Sequence, residues 1–430
     1  MYLSKSEGLR YATCASLYFA QGIPKGLLNI AMPAWLASQG MSASAIASYL
    51  AIIALPWVFK LTTGPLMDRF QFPAMGLRRP WALGAQLGMA ISLCGLVVIE
   101  DPTLQMATLT ALAALVQAFA ATQDVAVDGM AINLVPESQH GRINAFMSFG
   151  KALGWAGAAA VSGVMLTTVG LATTALLAAA VSAMVFIVFL FVLEREGERR
   201  FPWSKGQYHG ATTAPVSITS LVHSLNQVLW NRLSLIVFLI LFFHGLVNGY
   251  GDALMPIAAV QLFGLSTEQW SNLVATMGLL GAFVALGIGP FIDKFGIKKM
   301  SVITTAVVFV HALILAQTES LWVDETYVLV MLSIWVLLDP VAMVCVIAIG
   351  MSICAKEVSA TQFAVYMSAA NLGLSLGSKL FGVVSESADY SDSYLLLALL
   401  VAFMLGILVL FNKPQLEREL EHVGESGRRP

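Results

Sequence analysis

The heptapeptide GPLMDRF, Gly64 to Phe70, occurs a second time as GPFIDKF, Gly289 to Phe295. Each copy ends an apolar run in Gly-Pro and then sets an acid beside a base, Asp68-Arg69 and Asp293-Lys294. A basic pair follows in both, Arg78-Arg79 and Lys298-Lys299. The same separation relates landmarks upstream, where Pro33 answers Pro256, Gly40 answers Gly264 and Ser42 answers Ser266. Downstream, PESQHGRINAFMS (Pro136 to Ser148) answers KEVSATQFAVYMS (Lys356 to Ser368). The chain therefore reads as a duplicated unit of roughly 220 residues.

The unit is apolar. Hydrophobic residues make up 58% of the chain and charged ones 11%, against about 25% charged in a soluble globular protein. That places it among integral membrane proteins. The net charge of -2 averages over two compartments and says little. The first apolar run, Tyr11 to Leu36, is too long for a cleavable leader and continues into a bundle. Cys14, Cys94, Cys345 and Cys354 fall in apolar runs without paired spacing, so they read as packing residues and not as a disulfide or metal site. No Asn-x-Ser/Thr acceptor occurs, which favours a bacterial inner membrane over a glycosylating compartment.

Runs long enough to cross about 30 Å of hydrocarbon can be placed directly. They lie near 11–36, 43–66, 80–99, 104–134, 142–167 and 171–193, then near 233–262, 268–292, 300–317, 327–354, 359–384 and 393–412. The expected fold is an all-α integral membrane protein, twelve transmembrane helices in two pseudo-symmetric six-helix bundles. Residues 1–193 form the first bundle and 233–412 the second. The polar 194–232 segment reads as a linker, with room for a surface-lying helix, and 413–430 as a polar tail.

Orientation follows from the bases. Nineteen of the 23 Lys and Arg residues sit on one alternating set of loops: Lys5, Arg10, Arg69, Arg78, Arg79, Arg142, Arg195, Arg199, Arg200, Lys205, Arg232, Lys294, Lys298, Lys299, Lys356, Lys413, Arg418, Arg428 and Arg429. The other loops carry acids, among them Glu100, Asp101, Asp324, Glu325, Asp389 and Asp392. The positive-inside rule puts both termini and the linker in the cytoplasm.

Four Lys (Lys25, Lys60, Lys151, Lys379) and four Asp (Asp124, Asp128, Asp252, Asp339) remain inside spans. A charge at mid-bilayer costs about 2.5–3.5 kcal/mol on insertion scales, so such groups face protein or a watery cavity. Gln21, Lys25 and Asn29 recur every fourth residue in the first span, and His244, Asn248 and Asp252 do so in matching register in the seventh. Duplicated stripes at equal depth suggest two walls of one cavity, with helix–helix hydrogen bonding as the plainer reading. Gln117, Asp124 and Asp128 share a face of the fourth span. Lys60–Asp128 is expected as a structural ion pair, whereas a Lys25–Asp124 pair could be permanent or open with substrate. The fifth span carries Asn144, Ser148 and Lys151 on one face, and the eleventh Asn371, Ser375 and Lys379, the last expected to snorkel outward. Asp339-Pro340 marks an expected helix break in the tenth span. Trp35 and Trp155 are the aromatic candidates for the cavity, and His244 and His311 lack companions for a metal.

Two six-span halves, each with Gly-x-x-x-Asp-Arg/Lys between its second and third spans, resemble the major facilitator superfamily over the whole chain. The second copy, GPFIDKFGIKK, fits that pattern closely, while the first inserts FQFPAM before Gly76. The resemblance implies a cytoplasmic gate involving Asp68, Arg69, Arg78, Arg79, Asp293 and Lys294, and a cavity lined by spans one, four, seven and ten. LYFAQGIP (Leu17 to Pro24), LPWVFKLTTGPLMDR (Leu55 to Arg69) and QDVAVDG (Gln123 to Gly129) resemble the branch holding muropeptide permeases and acetyl-coenzyme A transporters, with some siderophore importers similar too.

The reading is a secondary transporter of the inner membrane importing an anionic or amphipathic solute by alternating access, coupled to protons. Gln21, Lys25, Asn29, Lys151, His244, Asn248, Asp252 and Asp339 are the expected solute ligands, and Asp124 and Asp128 the proton carriers. Expected partners are the small-molecule solute, protons and the bilayer, with no nucleic acid, cofactor or metal, and a monomer as the unit. Export by the same fold is the competing reading. An enzyme would need a nucleophile, metal cluster or phosphate loop, and a receptor a soluble output domain; neither is present in the sequence.

Overall fold

Ser42 and Ser266 cap the helices that start at Ala43 and Thr267, and Gly40 and Gly264 turn the chain just before them. The computed structural model describes residues 1–136, 139–201, 203–204, 226, 229–354 and 359–411. The expected tail 413–430, Lys356 and most of the linker's second half lie outside the described residues, as do the side chains of Asp68 and Asp293.

Among the described residues, fourteen α-helices make the twelve spans. The first span is α1 (Glu7–Pro24), a π-helical stretch (Lys25–Ala31) and α2 (Met32–Ser38). The second is α3 (Ala43–Val58) and α4 (Lys60–Arg69), interrupted at Phe59. Then follow α5 (Arg79–Gly95), α6 (Met106–Leu134), α7 (His140–Thr168) and α8 (Gly170–Leu190). The seventh span is α9 (Arg232–Ile257) with a π-helical end (Ala258–Leu262). The rest are α10 (Thr267–Phe295), α11 (Ile297–Gln317), α12 (Glu325–Ser352), α13 (Ser359–Val384) and α14 (Tyr390–Leu410).

Ten of the twelve spans are long and apolar enough to cross a membrane on hydropathy. The first and eleventh are not among them, because their polar stripes lower the average. They are no shorter: α13 has 26 residues, about 39 Å at 1.5 Å per residue.

The duplication is physical. Gly40 and Gly264 both take positive φ, 77° and 71°, the left-handed turn that glycine accepts without Cβ strain. Two residues on, Ser42 and Ser266 cap α3 and α10, each side chain accepting from a backbone N–H. Close packing repeats as well. Gly22 and Gly26 of the first span lie against the backbone of α7, and Gly150 and Gly154 of α7 against Ala15 and Phe19. At the Pro33–Pro256 offset, Gly245 and Gly249 of α9 lie against Ala370 and Leu374, and Gly373 and Gly377 of α13 against Phe242 and Leu246. Small residues four apart let two helix backbones touch, which lipid-exposed helices need because no hydrophobic drive holds them together.

The halves meet along two seams, α3 on α13 and α7 on α10. α6 and α12 pack extensively only within their own halves. The α13 polar stripe stitches the first seam: Asn371 Nδ2 donates to Trp57 O (3.1 Å), Ser375 Oγ to Ala51 O (2.7 Å) and Lys379 Nζ to Ser48 Oγ (3.1 Å). Lys379 thus bonds across the seam besides reaching outward. At the face opposite the termini, Gln261 Nε2 donates to Ala37 O (3.2 Å) and Met41 O (2.8 Å), and Ser44 Oγ donates to Glu386 Oε1 (2.6 Å). Thr267 and Ser38 complete that closure at 3.4 Å.

Two expectations are corrected here. Pro340 does not break the tenth span, since α12 runs through it; a buried neighbour environment tolerates one freed carbonyl. The break falls at Phe59, after Pro56, and places Lys60 at the start of α4. Arg79, expected at the gate, is fully buried and donates to the carbonyls of Leu190 (2.8 Å), Val192 (2.6 Å) and Arg200 (3.1 Å). It closes the end of α8, where free carbonyls and the negative end of the helix dipole favour a cation. Lys298 does the same in the second half, donating to Val409 O of α14 at 2.8 Å.

Candidate functional site

Break and π-turn together decide which charges meet. Lys60, swung in by the interruption at Phe59, contacts Asp124 Oδ2 directly and lies 3.7 Å from Asp128. Lys151 of α7 reaches the other oxygen of Asp124 at 3.8 Å. Gln21 Nε2 donates to that oxygen at 3.0 Å, and Tyr18 OH donates to Asp128. The Lys151 ammonium also sits over the rings of Tyr18 (5.5 Å) and Trp57 (5.1 Å), where the negative ring faces favour a cation. Two ammoniums and two carboxylates therefore form one cluster among α1, α4, α6 and α7. Asp124 is its buried centre, with 5% of its side chain accessible, whereas Asp128 keeps 40%.

The Lys25–Asp124 pair does not form. Lys25 opens the π-helical stretch, which widens the turn and aims its ammonium over Trp155, 5.7 Å from the ring centroid. Lys25 is exposed despite its mid-span position. Asn29, the third residue of that stripe, accepts from Gln117 Nε2 (2.7 Å), and Trp57 Nε1 donates to Gln117 Oε1 (3.0 Å). Gln21 and Asn29 thus join α1 to α6, while Lys25 alone of the three is left toward open space.

In the second half, His244 and Asn248 contact each other (3.4 Å). With Thr305, Trp335 and Asp339 they line a small open recess. The recess lies among spans seven, nine, ten and twelve, so these residues do not share a pocket with spans one and four as expected. Asp252, also of α9, is exposed. Within each half, then, the structure gathers a separate polar group.

Of the remaining gate candidates, Arg69 lies over Phe70 (5.9 Å) and Lys294 over Phe295 (5.3 Å), the same local contact in both copies. Arg78 packs against α6 at Gly129. Sequence reasoning missed Tyr18 and Trp57. Tyr18 had a signal, since it lies three residues before Gln21 on the face that leads to Lys25; Trp57 had none.

The start of the linker, 194–200, is docked. Glu194 accepts from the N–H groups of Arg78 (2.9 Å) and Arg79 (2.6 Å) at the start of α5. Leu3 N donates to Leu193 O (2.8 Å), pairing the N-terminus with the same strand-like turn. Glu198 is buried there, with its Oε2 lacking a hydrogen-bond partner, and burial pushes its carboxyl up to about 7.

Comparison with known proteins bears on this geometry. The chain is 29% identical over 153 residues to the anhydromuropeptide permease of Escherichia coli K12, a match covering 36% of this chain and 31% of that protein. It is 22% identical over 370 residues to "Putative transporter AmpG 4" of Rickettsia conorii, covering 83% and 85%. The chain thus matches about a third of the permease's length and most of the Rickettsia protein's. Among solved structures, the nucleoside transporter NupG superposes with a TM-score of 0.69 at 14% identity, covering 94% of this chain and 99% of that one. A D-xylose–proton symporter gives 0.70 at 15% identity, covering 94% and 97%. At such identities the structures speak for the fold alone. The model of the Major Facilitator Superfamily matches residues 14–378, and with two six-helix halves joined along paired seams, the chain belongs to that superfamily.

Proposed function

We propose that the protein is a secondary active transporter, not an enzyme, importing a small amphipathic solute that bears an anionic group, in symport with protons. The observation that carries this is that Lys25 and Asp252, inside spans of opposite halves, are both exposed, with a hydrogen-bonded closure at one face. Ionised groups in the middle of the apolar layer persist where water reaches them. The closure at Gln261, Ser44 and Thr267 makes this an arrangement shut on the face opposite the termini. With the basic loops in the cytoplasm, that is an inward-facing state of an inner-membrane carrier. Rocking the halves about the α3–α13 and α7–α10 seams would open the other face.

Lys25 is the residue for the anionic group, because it alone of the first-half lysines has no carboxylate partner among the described residues. Lys60 and Lys151 hold Asp124, so a proton reaching Asp128, the more accessible carboxylate, would loosen Lys60 and hand the change to the cluster. Asp124 and Asp128 thus act together as the coupling site, within a monomer of two bundles, 1–193 and 233–412, joined by the 194–232 linker. The similarity to an anhydromuropeptide permease puts cell-wall sugar–peptides first among the solutes to be tried.

The test is uptake into proteoliposomes under an imposed pH gradient, with radiolabelled muropeptides, acyl-coenzyme A compounds and siderophores as probes. Uptake driven by an inward proton gradient is expected. Efflux driven by the opposite exchange would show export, and absence of movement of every probe under either gradient would end the transport reading. Lys25→Ala should abolish uptake while leaving insertion and folding unchanged.

A further inference from the structure

Four helices of the second half close a ring: α9 packs on α12, α12 on α11, α11 on α14, and α14 back on α9. The small recess described above is lined from all four. Its counterpart in the first half is the ring of α1, α6, α5 and α8, and there the space is plugged. Gln86 Nε2 donates to Ser182 O (2.8 Å) and Ser182 Oγ (2.9 Å), while Gln123 Nε2 donates to Leu17 O (3.2 Å) and to Gln86 Oε1. Gln86, Gln123 and Ser182 are all fully buried. An open recess is therefore no demand of the fold. It comes from the second half's own residues.

Those residues are short of partners. Asp339, half-buried in the middle of α12, makes no hydrogen bond or ion pair among the described residues. Thr305 is only 3% exposed, and its hydroxyl at the recess also makes no hydrogen bond among them. Asn248 Nδ2 donates to His244 Nε2 at 3.4 Å, which holds the amide and leaves its oxygen unspent. Pro340 follows Asp339 inside α12, and because proline has no N–H it frees the Val336 carbonyl one turn back. Carboxylate, hydroxyl and amide oxygen thus border one small space, with a freed main-chain carbonyl on the same stretch of helix.

We infer that the recess is a binding site for a bare monovalent cation of the size of sodium, with Asp339, Asn248 and Thr305 supplying oxygens. One carboxylate balances one positive charge, and a lone carboxylate in the apolar layer needs such a balance. Calcium gathers several carboxylates, and magnesium keeps waters for which the recess has no room. Potassium is larger and is held by full rings of carbonyls. Freed carbonyls complete sodium sites inside membranes, and the Trp335 ring forms an aromatic wall on which a cation is also favoured. The recess takes an ion and little more, and is too small for a sugar or peptide. Histidine spacing speaks against a transition metal; an alkali ion asks for oxygens, which that spacing does not test. The site lies in the half opposite Asp124 and Asp128 and does not rest on the transport reading.

Thermal unfolding of the detergent-solubilised protein reads the site directly, because a ligand that binds only the folded chain raises its melting temperature. The probes are sodium, potassium and choline chlorides at one ionic strength, choline being too large for the recess. Sodium at about 200 mM is expected to raise the melting temperature by about 3 °C or more over choline, and potassium by less than half as much. Thr305→Val keeps the shape and removes one oxygen, and Asp339→Asn removes the charge. Each should lose more than half of the sodium shift. Asp392→Asn, which neutralises an exposed carboxylate in the first turn of α14, should keep it, separating the recess from a general effect of sodium on surface charge. Equal melting in sodium and choline overturns the site, as does a shift of parental size in either recess variant. Equal stabilisation by potassium overturns the sodium-sized ion. Should Asp339→Asn fail to fold, Thr305→Val decides. Each of these outcomes leaves the transport reading to its own uptake test.

Discussion

Asp124→Asn preserves shape and removes one charge, which isolates what the first-half cluster does. The substitution leaves Lys60 with Asp128 at 3.7 Å and Lys151 with no carboxylate within ion-pair distance among the described residues. At the 3.8 Å separating Lys151 from Asp124, the gross attraction is about 4 kcal/mol for an effective dielectric of about 20. Removing one partner of a buried pair costs about 3–5 kcal/mol. Lys151 keeps 31% of its side chain accessible, so water recovers part of the loss, and about 3 kcal/mol is expected. In thermal unfolding of the detergent-solubilised protein that is on the order of 5 °C. The charge-balanced pair Asp124→Asn with Lys151→Gln should recover more than half of it. A single variant within about 1 kcal/mol of the parent, or a double variant worse than the single one, would refute the view that Asp124 is the electrostatic centre. Uptake supplies the second readout: an unchanged rate and pH profile in Asp124→Asn would remove it from coupling.

Gly377→Ala forces a methyl onto the Leu246 carbonyl oxygen and to 2.8 Å from Tyr250 N, and should cost about 1–3 kcal/mol; Gly84→Ala, with nothing within 4 Å, is the neutral control in the same melt. Gln261→Ala removes the two hydrogen bonds to Ala37 and Met41, and spin labels at the exposed Gln39 and Glu268 should then report a wider distance across that face. Glu198 makes the docking of the 194–200 segment pH-dependent. A carboxyl raised from 4.5 to about 7 favours the docked state while protonated, so docking is fully favoured below about 4.5 and is lost as pH rises through about 7. Glu194, Arg195 and Arg79 are the charges facing it, and Glu198→Gln should flatten the pH dependence of hydrogen exchange at the linker's start.

Much of this was legible in the sequence, and what was not has a common cause. The repeated GPLMDRF and GPFIDKF gave the two-half organisation because glycine turns and serine caps must recur wherever the backbone does, as at Gly40–Ser42 and Gly264–Ser266. Intramembrane charges stood out because each must be stabilised by something. Their pairing was not legible, since position along a helix fixes depth and leaves direction to the helix's regularity. Two irregularities redirect it: the π-turn at Lys25 carries that ammonium to Trp155, and the interruption at Phe59 delivers Lys60 to Asp124 in its place. Neither follows from apolar periodicity, though Pro24 and Pro56 precede each.

The basic pairs after the repeated motif make the same point from the other side. Read by spacing and resemblance, Arg78-Arg79 belonged to a gate between the halves. Yet Arg79 and Lys298 each turn inward to the last helix of their own half, capping Leu190 in one and Val409 in the other. A sixth helix that ends at the membrane surface presents carbonyls that bilayer cannot satisfy, and a cation at the start of the third helix is the neighbour able to reach them. This demand arises once per half, so duplication preserves it even though the first copy has gained FQFPAM before its basic pair and the second has not. A basic pair that recurs in two halves can therefore serve each half singly through either of its members, and recurrence alone gives a residue no claim on the solute.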